Sequence, residues 1–231
     1  MRAFRTLQDD LRKLPSLPTG DPRDPHLKQN WFTGLDPIAL YGYLRLRRPR
    51  RYLEVGSGYS TKFAARAKRD GDLDTVITSI DPQPRAEIDL LCDRIIREPL
   101  ENVGASPFEE LESGDVLLLD SSHYVFMNSD VTVFFLDVLP RLREGVLVGV
   151  HDVFFPNDYF PDWTSRNYSE QYLLAAYLLA DCPWLLPRMA CAYVDGDSEL
   201  KAIVAPLWER PDMVDVPKLG LSFWFEIGPR G

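Results

Sequence analysis

The chain has 231 residues, of which 45% are hydrophobic, so it is long enough for one α/β domain with a terminal extension and too apolar to be largely disordered. Its net charge of −9, from 26 basic and 35 acidic residues, argues against nucleic acid as the main partner. Cys92, Cys182 and Cys191 lack CxxC spacing, which predicts reduced thiols of a cytoplasmic protein. No segment is long and apolar enough for a membrane span, so we expect no membrane partner, and a homo-oligomer stays open.

The first part of the chain, residues 1–35, is predicted to be an extended arm in front of one domain that spans residues 36–231. Between residues 15 and 30, prolines lie among Gly, Asp and Ser, a composition typical of an arm or linker. Trp31 and Phe32 follow as adjacent aromatic residues in a polar setting. This pair suggests that the arm docks on the domain.

The next part of the chain alternates helical patterns with apolar, strand-like runs. Asp36-Pro37 predicts a first helix that has Asp36 as its N-cap and ends before Pro49. Strands are expected at 52–55, 75–80, 95–96, 115–119 and 145–150. Further helices are expected at 59–69, 84–94, 106–111 and 130–139. Such alternation, five times over, predicts the α/β class, with a parallel sheet covered by helices on both faces.

The last third of the chain begins with an aromatic loop, residues 153–167, which holds five aromatic side chains and two prolines. It is predicted to be a lid over a ligand, a packing contact with Trp31 and Phe32 of the arm, or a dimer contact. Asn167 is expected to cap a helix that runs to residue 180, with Glu170 completing a capping box. Beyond it, strands are expected at 189–194 and 221–227, and a helix at 198–207.

The chain is organised around the stretch Glu54-Val55-Gly56-Ser57-Gly58, which joins the first strand to the following helix. Gly56 and Gly58 can adopt positive φ and let a ligand approach the backbone closely. Ser60 or Thr61 is expected to cap the helix. Because residue 61 is Thr, the third glycine of the dinucleotide fingerprint is missing, which counts against a pyrophosphate ligand.

Two acids indicate what the ligand carries. Glu54, before the turn, suits an amino group or a sulfonium, since a helix N-terminus alone favours anions. Asp81, at the end of the second strand, can accept hydrogen bonds from both hydroxyls of a ribose. Together they predict a site for a nucleoside with a cationic tail.

These residues resemble those of the class I S-adenosylmethionine-dependent methyltransferases: Glu54 to Gly58 is similar to their first motif and Asp81 to their ribose acid. The pattern E-x-G-S-G-x-S/T resembles a bacterial branch that includes relatives of macrocin O-methyltransferase and cephalosporin hydroxylase. The resemblance covers roughly residues 50–180. It implies a Rossmann-like, doubly wound, mostly parallel seven-stranded sheet with helices on both faces and an antiparallel C-terminal strand at 221–227. It also implies S-adenosylmethionine as cofactor, bound by Glu54, Gly56, Ser57, Gly58, Ser60, Asp81 and Asp120.

Four further polar residues, Asp120, His123, His151 and Asp152, follow the ends of adjacent predicted strands, where open α/β sheets bind ligands. His151 or His123, with a pKa near neutrality, would act as general base beside Asp152. By the resemblance, Asp120, His151 and Asp152 would instead hold a divalent cation, although His151 stands where relatives have an acid. Such a donor set favours Mn²⁺ or Fe²⁺ over Mg²⁺. A purely structural role for His151 and Asp152 also stays open.

The function predicted from these observations is methyl transfer from S-adenosylmethionine to a small-molecule acceptor, most plausibly at oxygen. In-line displacement needs mainly positioning and a way to remove one proton, which this site could supply. Two alternatives stay open: a non-catalytic S-adenosylmethionine-binding module, and a nucleotide- or metal-dependent oxidoreductase on the same fold.

Overall fold

Seven strands form a single sheet in the computed structural model of the protein, which describes residues 2–230. The strands are β1 (Arg51–Val55), β2 (Val76–Ile80), β3 (Arg94–Ile96), β4 (Val116–Leu119), β5 (Leu147–Val150), β6 (Leu185–Ala190) and β7 (Phe223–Ile227). Their spatial order is β3-β2-β1-β4-β5-β7-β6. The first five strands are parallel, and β7 runs antiparallel to both of its neighbours, β5 and β6. The predicted seven-stranded, mostly parallel sheet is confirmed.

The α-helices are α1 (Gln8–Leu11), α2 (Leu35–Arg47), α3 (Tyr59–Gly71), α4 (Leu100–Val103), α5 (Asp130–Val133), α6 (Glu170–Leu179), α7 (Cys191–Gly196) and α8 (Ser198–Trp208). After α5 the helix continues through a π-helical turn, Phe134–Val138, and a 3₁₀ turn, Leu139–Arg141. None of the helices within residues 2–230 combines the length and apolarity needed to cross a bilayer.

Side chains from the sheet enter two apolar cores, one on each face. Tyr52 and Val116 point into the core shared with α2 and α3. Leu53 and Leu117, their neighbours along the strands, point into the core shared with α5 and α6. Because side chains alternate along a strand, strands that are apolar throughout must be covered on both faces. Because the first five strands are parallel, their carboxyl ends lie together at one end of the sheet, and the site lies there.

The N-terminal segment, residues 2–34, packs on the domain. It begins with a 3₁₀ turn and α1, which the prediction of an extended arm did not include, and continues without helix or strand to residue 34. Leu14, Leu27 and Phe32 are buried in the first core. Docking of the arm is thus confirmed for Phe32, whereas the Trp31 side chain is 57% exposed.

Two predicted elements are wrong. Only a 3₁₀ turn, Asp89–Leu91, forms in the predicted helix 84–94, because Ile88 is its single buried apolar residue and Leu90 is 86% exposed. A helix without an apolar face gains nothing from packing. The predicted strand 189–194 is the end of β6 followed by α7, since Cys191 and Val194 are buried three residues apart, which is helical spacing.

Candidate active site

The turn after β1 brings the backbone close to the end of β4. Gly56 has φ of +79°, and a Cβ there would lie 1.8 Å from the carbonyl oxygen of Asp120, so only glycine fits. Gly58 is extended instead, with φ of 165°, and its N–H donates to Oγ1 of Thr61 at 3.0 Å. Gly58 is therefore the N-cap residue of α3, and the predicted cap through a side-chain oxygen is confirmed for Thr61, whose hydroxyl accepts from the N-cap N–H.

Glu54 lies fully buried beneath this turn. Its carboxylate accepts hydrogen bonds from the Tyr52 hydroxyl at 2.7 Å, from the Ser60 hydroxyl at 3.0 Å and from the Thr61 hydroxyl. Burial raises the pKa of Glu54 to about 7, and the hydrogen bonds from Thr61, Tyr52 and Ser60 offset only part of that effect. Glu54 is not among the residues that line the cavity described below, and it anchors the start of α3 from below. Its predicted contact with the cofactor stays a prediction.

A cavity of about 390 Å³ opens at the carboxyl ends of β1, β2 and β4. Six predicted ligand-binding residues line it: Gly56, Ser57, Gly58, Ser60, Asp81 and Asp120. Asp81 lies on one side, with its carboxylate accepting from the backbone N–H groups of Ser57 and Gln83, each at 2.7 Å. These two bonds fix the carboxylate, and each oxygen retains a lone pair for a hydroxyl of a ligand.

The lining of the cavity also contains residues that the sequence analysis did not assign to the site. Trp31 and Phe32 reach it from the N-terminal arm, and the guanidinium of Arg85 lies 4.5 Å from the centre of the Trp31 ring. Tyr124 and Phe126 reach it from the segment after β4. The adjacent aromatic pair Trp31-Phe32 was a usable signal, but nothing local connects it to a site more than twenty residues away.

Four side chains beside the cavity form a closed ring of alternating acid and imidazole, which we call the imidazole–carboxylate ring: Asp120, His151, Asp152 and His123. Nδ1 of His151 lies 3.1 Å from Asp120 Oδ1 and 3.5 Å from Asp152 Oδ1. Nε2 of His123 lies 3.5 Å from Asp120 Oδ1 and 3.5 Å from Asp152 Oδ2. The structure thus brings together all four predicted residues, and Asp120 is the member that also lines the cavity.

Two outer acids complete the ring. Asp36 Oδ2 lies 3.3 Å from Nε2 of His151, and Glu170 Oε2 lies 2.8 Å from Nδ1 of His123. Both acids had been predicted as helix-start residues. Asp36 lies inside α2 rather than at its N-cap, which is Gly34, and Glu170 follows the N-cap Ser169 rather than pairing with Asn167. Each acid is buried, and an imidazole is the partner that makes its burial tolerable.

The charges in the ring follow from these contacts. Burial acts to lower the pKa of His123 and of His151, but the facing carboxylates outweigh it and hold both values well above the ordinary 6.5. Burial acts to raise the pKa of Asp120, yet His151 and His123 keep it well below the usual range. For Asp152 and Glu170 burial dominates and the pKa is raised. The predicted neutral-range pKa of His151 and His123 is therefore wrong, and neither ring is a free base.

The predicted metal ligands do not fit a divalent cation. A metal requires deprotonated ligand atoms, but all four imidazole nitrogens of the ring face carboxylates and act as donors. Within residues 2–230, no group of three or more His, Cys, Asp or Glu side chains is arranged to hold a metal ion. Asp120, His151 and Asp152 satisfy one another instead.

The aromatic loop packs mainly on itself. The Phe154 ring lies 4.9 Å from Phe160 and 5.1 Å from Trp163, measured between ring centres. Trp163 in turn contacts Tyr168, whose ring lies 4.4 Å from His123. Neither the lid nor the packing contact with the arm is seen. Residues 153–167 do not line the 390 Å³ cavity. Within residues 2–230, their ring contacts do not join them to Trp31 or Phe32. The loop is thus joined to His123 through Tyr168.

The strand order, the glycine turn after β1 and the acid after β2 are the features that the resemblance to class I S-adenosylmethionine-dependent methyltransferases implies. Residues 53–153 match the model of a family described as a methyltransferase domain, so the predicted enzyme class is confirmed. No curated protein matches the chain.

Similar solved structures share the fold. A Klebsiella pneumoniae protein assigned as an O-methyltransferase superimposes with a TM-score of 0.53 and 14% identity, covering 99% of this chain and 91% of that one. The S-adenosylhomocysteine-bound methyltransferase PaMTH1 of Podospora anserina gives 0.49 and 16%, covering 99% and 89%. The O-methyltransferase TomG of Streptomyces achromogenes gives 0.47 and 16%, covering 99% and 91%.

Proposed function

We propose that this protein transfers the methyl group of S-adenosylmethionine to a hydroxyl oxygen of a small, largely apolar acceptor. The observation that carries the proposal is a 390 Å³ cavity that the Gly56 turn, Asp81 and Asp120 line together with aromatic side chains. A cavity of this volume suits small-molecule ligands. The fold and the methyltransferase-domain match support the same class of reaction.

The cofactor half of the cavity is built from the turn and from Asp81. The Asp81 carboxylate is oriented by two backbone N–H groups and would accept the two ribose hydroxyls. The N-terminus of α3 begins at the same turn, and its positive end favours the carboxylate of the methionine part. Pro99 and Leu100 line the cavity next to Asp81 and would contact the adenine. Bound there, S-adenosylmethionine supplies an activated methyl group.

The acceptor half is organised by Asp120. Asp120 Oδ1 faces the two imidazoles, whereas Oδ2 makes no hydrogen bond within residues 2–230 and is available to an acceptor hydroxyl. As the new C–O bond forms, the hydroxyl proton becomes strongly acidic, so a carboxylate with a depressed pKa can still receive it. Phe32, Tyr124 and Phe126 supply an apolar wall for the remainder of the acceptor.

We further propose that the arm, residues 1–35, closes the cavity of the domain formed by residues 36–231. Trp31 and Phe32 form part of the cavity wall although they precede the first strand by about twenty residues. Phe32 is buried and also packs against His151, with 5.1 Å between ring centres. The arm thus contributes to the acceptor half.

Calorimetric titration with S-adenosylmethionine, S-adenosylhomocysteine and NAD tests the cofactor half. We expect binding of the first two and none of NAD. Asp81→Ala should weaken binding by at least tenfold, whereas Asp74→Ala, an exposed acid before the same strand, should not change it. Binding of NAD alone would instead support an oxidoreductase, and unchanged affinity of Asp81→Ala would remove Asp81 from the ribose role.

A panel of phenols and aliphatic alcohols tests the acceptor half, with formation of S-adenosylhomocysteine as the readout. We expect turnover of hydroxyl compounds that carry an apolar ring, and a strong loss of kcat in Asp120→Asn with cofactor affinity retained. Cofactor binding without turnover of any hydroxyl, amine or thiol acceptor would favour a non-catalytic binding module.

A further inference from the structure

The imidazole–carboxylate ring occupies the edge of the sheet between β4 and β5, where the sequence analysis expected a divalent cation. Its four imidazole nitrogens all face carboxylate oxygens, at distances between 2.8 and 3.5 Å. A neutral imidazole has one donor nitrogen and one acceptor nitrogen, so an imidazole with acids at both nitrogens serves as a double donor. In that form the two imidazoles place positive charge beside Asp120 and Asp152, where the resemblance implies a dication.

We propose that His123 and His151 replace a divalent cation in this enzyme: they hold Asp120 in place for the acceptor hydroxyl and leave no ligand set for a metal. The inference rests on the proposed methyl transfer, because Asp120 is the group that meets the acceptor. His123 and His151 are positioning residues, since neither lines the cavity.

Two contacts hold the Asp120 carboxylate. Its Oδ1 is shared by Nδ1 of His151 and Nε2 of His123, one from each side. These two contacts engage Oδ1, and because Asp120 lines the cavity, its second oxygen, Oδ2, is the atom that would meet an acceptor hydroxyl. Asp152 closes the ring by contacting the same nitrogen of each imidazole that faces Asp120.

The backbone supports the same reading. His123 and Asp152 both adopt positive φ, +66° and +55°, a region that non-glycine residues rarely occupy. Both residues belong to the ring and lie in the segments that follow β4 and β5, four and two residues after the strand ends. The fold therefore holds the ring together against a local backbone preference.

The outer acids anchor the ring to the rest of the molecule. Asp36 holds Nε2 of His151 and also accepts hydrogen bonds from the backbone N–H groups of Leu221 and Ser222. Glu170, at the start of α6, holds Nδ1 of His123. Neither imidazole can turn a nitrogen lone pair towards a metal without leaving a buried carboxylate unpaired, which is costly.

Titration with Mn²⁺, followed by calorimetry and by the loss of the free Mn²⁺ electron paramagnetic resonance signal, tests the proposal. We expect no saturable binding to the wild-type protein up to about 1 mM Mn²⁺. His151→Asp removes two donors and adds a carboxylate between Asp36, Asp120 and Asp152, so this variant should bind one Mn²⁺ at least tenfold more tightly than the wild type. A residue with only a structural role would not create a metal site when replaced.

His26, the remaining histidine of the chain, provides the matched control, since it lies on the arm beside Tyr59 and outside the ring. His26→Asp should not bind Mn²⁺. His123→Asn is a second test should His151→Asp fail to fold, because it also frees Asp120 and Asp152 for a metal.

Stoichiometric Mn²⁺ binding by the wild type, abolished by Asp152→Asn, would overturn the proposal. Folded His151→Asp and His123→Asn proteins that both bind Mn²⁺ no better than the wild type would also overturn it. Cofactor titration of the same samples separates the two proposals. Wild-type protein that binds S-adenosylmethionine and also Mn²⁺ at the ring refutes the inference alone, whereas protein that binds no methyl donor refutes the methyltransferase function.

Discussion

The buried acid Glu54 predicts a pH dependence of stability that a single substitution isolates. The pKa of Glu54 is about 7 in the folded protein, against an ordinary 4.5 in the unfolded chain. Between these two values the folded state binds more protons than the unfolded state, so the contribution of Glu54 to stability falls as pH rises through this window. Below pH 4.5 Glu54 is mostly neutral in both states, and above about pH 7 the full cost of burying its charge is present.

The size of the effect follows from the 2.5-unit difference between 7 and 4.5. At about 1.36 kcal/mol per unit, the full cost is about 3.4 kcal/mol, of which about 2.5 kcal/mol develops between pH 5 and pH 8. Glu54→Gln cannot ionise and lacks this term. The difference in free energy of unfolding, Gln variant minus wild type, should therefore rise by about 2.5 kcal/mol across that range.

Urea unfolding at half-unit steps from pH 5 to pH 8 measures this difference. Subtracting the two curves cancels the titration of His123, His151 and other groups common to both proteins. Glu109→Gln, at an exposed position, serves as control and should give a flat difference curve. A flat curve for Glu54→Gln as well would show that the acid is ionised without cost, and the account of its buried environment would be wrong.

Three further substitutions test other parts of the site. Gly56→Ala should lower the free energy of unfolding by more than about 3 kcal/mol in the urea assay, since its Cβ would meet the Asp120 carbonyl and φ is positive. Gly58→Ala is the control: its Cβ would have no neighbour nearer than 3.8 Å, so the change should stay within about 1 kcal/mol. Asp36→Asn should cost about 3 kcal/mol by urea unfolding, because it leaves His151 and two backbone donors poorly paired, and a cost below about 1 kcal/mol would contradict that role. Phe32→Ala should lower the free energy of unfolding by about 3–5 kcal/mol, because it truncates a core side chain. Trp31→Ala, at an exposed position, should change the melting temperature little and weaken acceptor binding. Equal losses of stability in both variants would argue against separate roles for the two residues.

Local chemistry explains which elements could be predicted from the sequence. β1, β2, β4 and β5 are apolar runs that end in polar residues, and their alternation with amphipathic segments led to the correct sheet. The helix predicted at 84–94 failed because composition alone, without an apolar face, does not specify packing. α7 was read as strand because Cys191 and Val194 match a helical period only over a single turn.

The site was predictable only where its residues lie at strand ends. Gly56, Asp81 and Asp120 were found because parallel strands bring their carboxyl ends to one edge. Asp36 and Glu170 were read as local capping residues, since capping is the nearest interaction that a sequence pattern can express. Their actual partners, His151 and His123, lie 115 and 47 residues away, a separation that no local pattern encodes.

The order of strands in the sheet has a consequence for how the site comes into existence. β7 follows β6 in the chain but lies between β5 and β6, so β6 has no place in the sheet until β7 is inserted. Asp36 binds the backbone just before β7, 185 residues away, and the same carboxylate holds His151. The carboxylate that holds His151 is therefore tied to the strand that completes the sheet. A chain in which β7 is displaced deprives Asp36 of its backbone donors, so damage at this end of the sheet reaches the electrostatic centre of the enzyme.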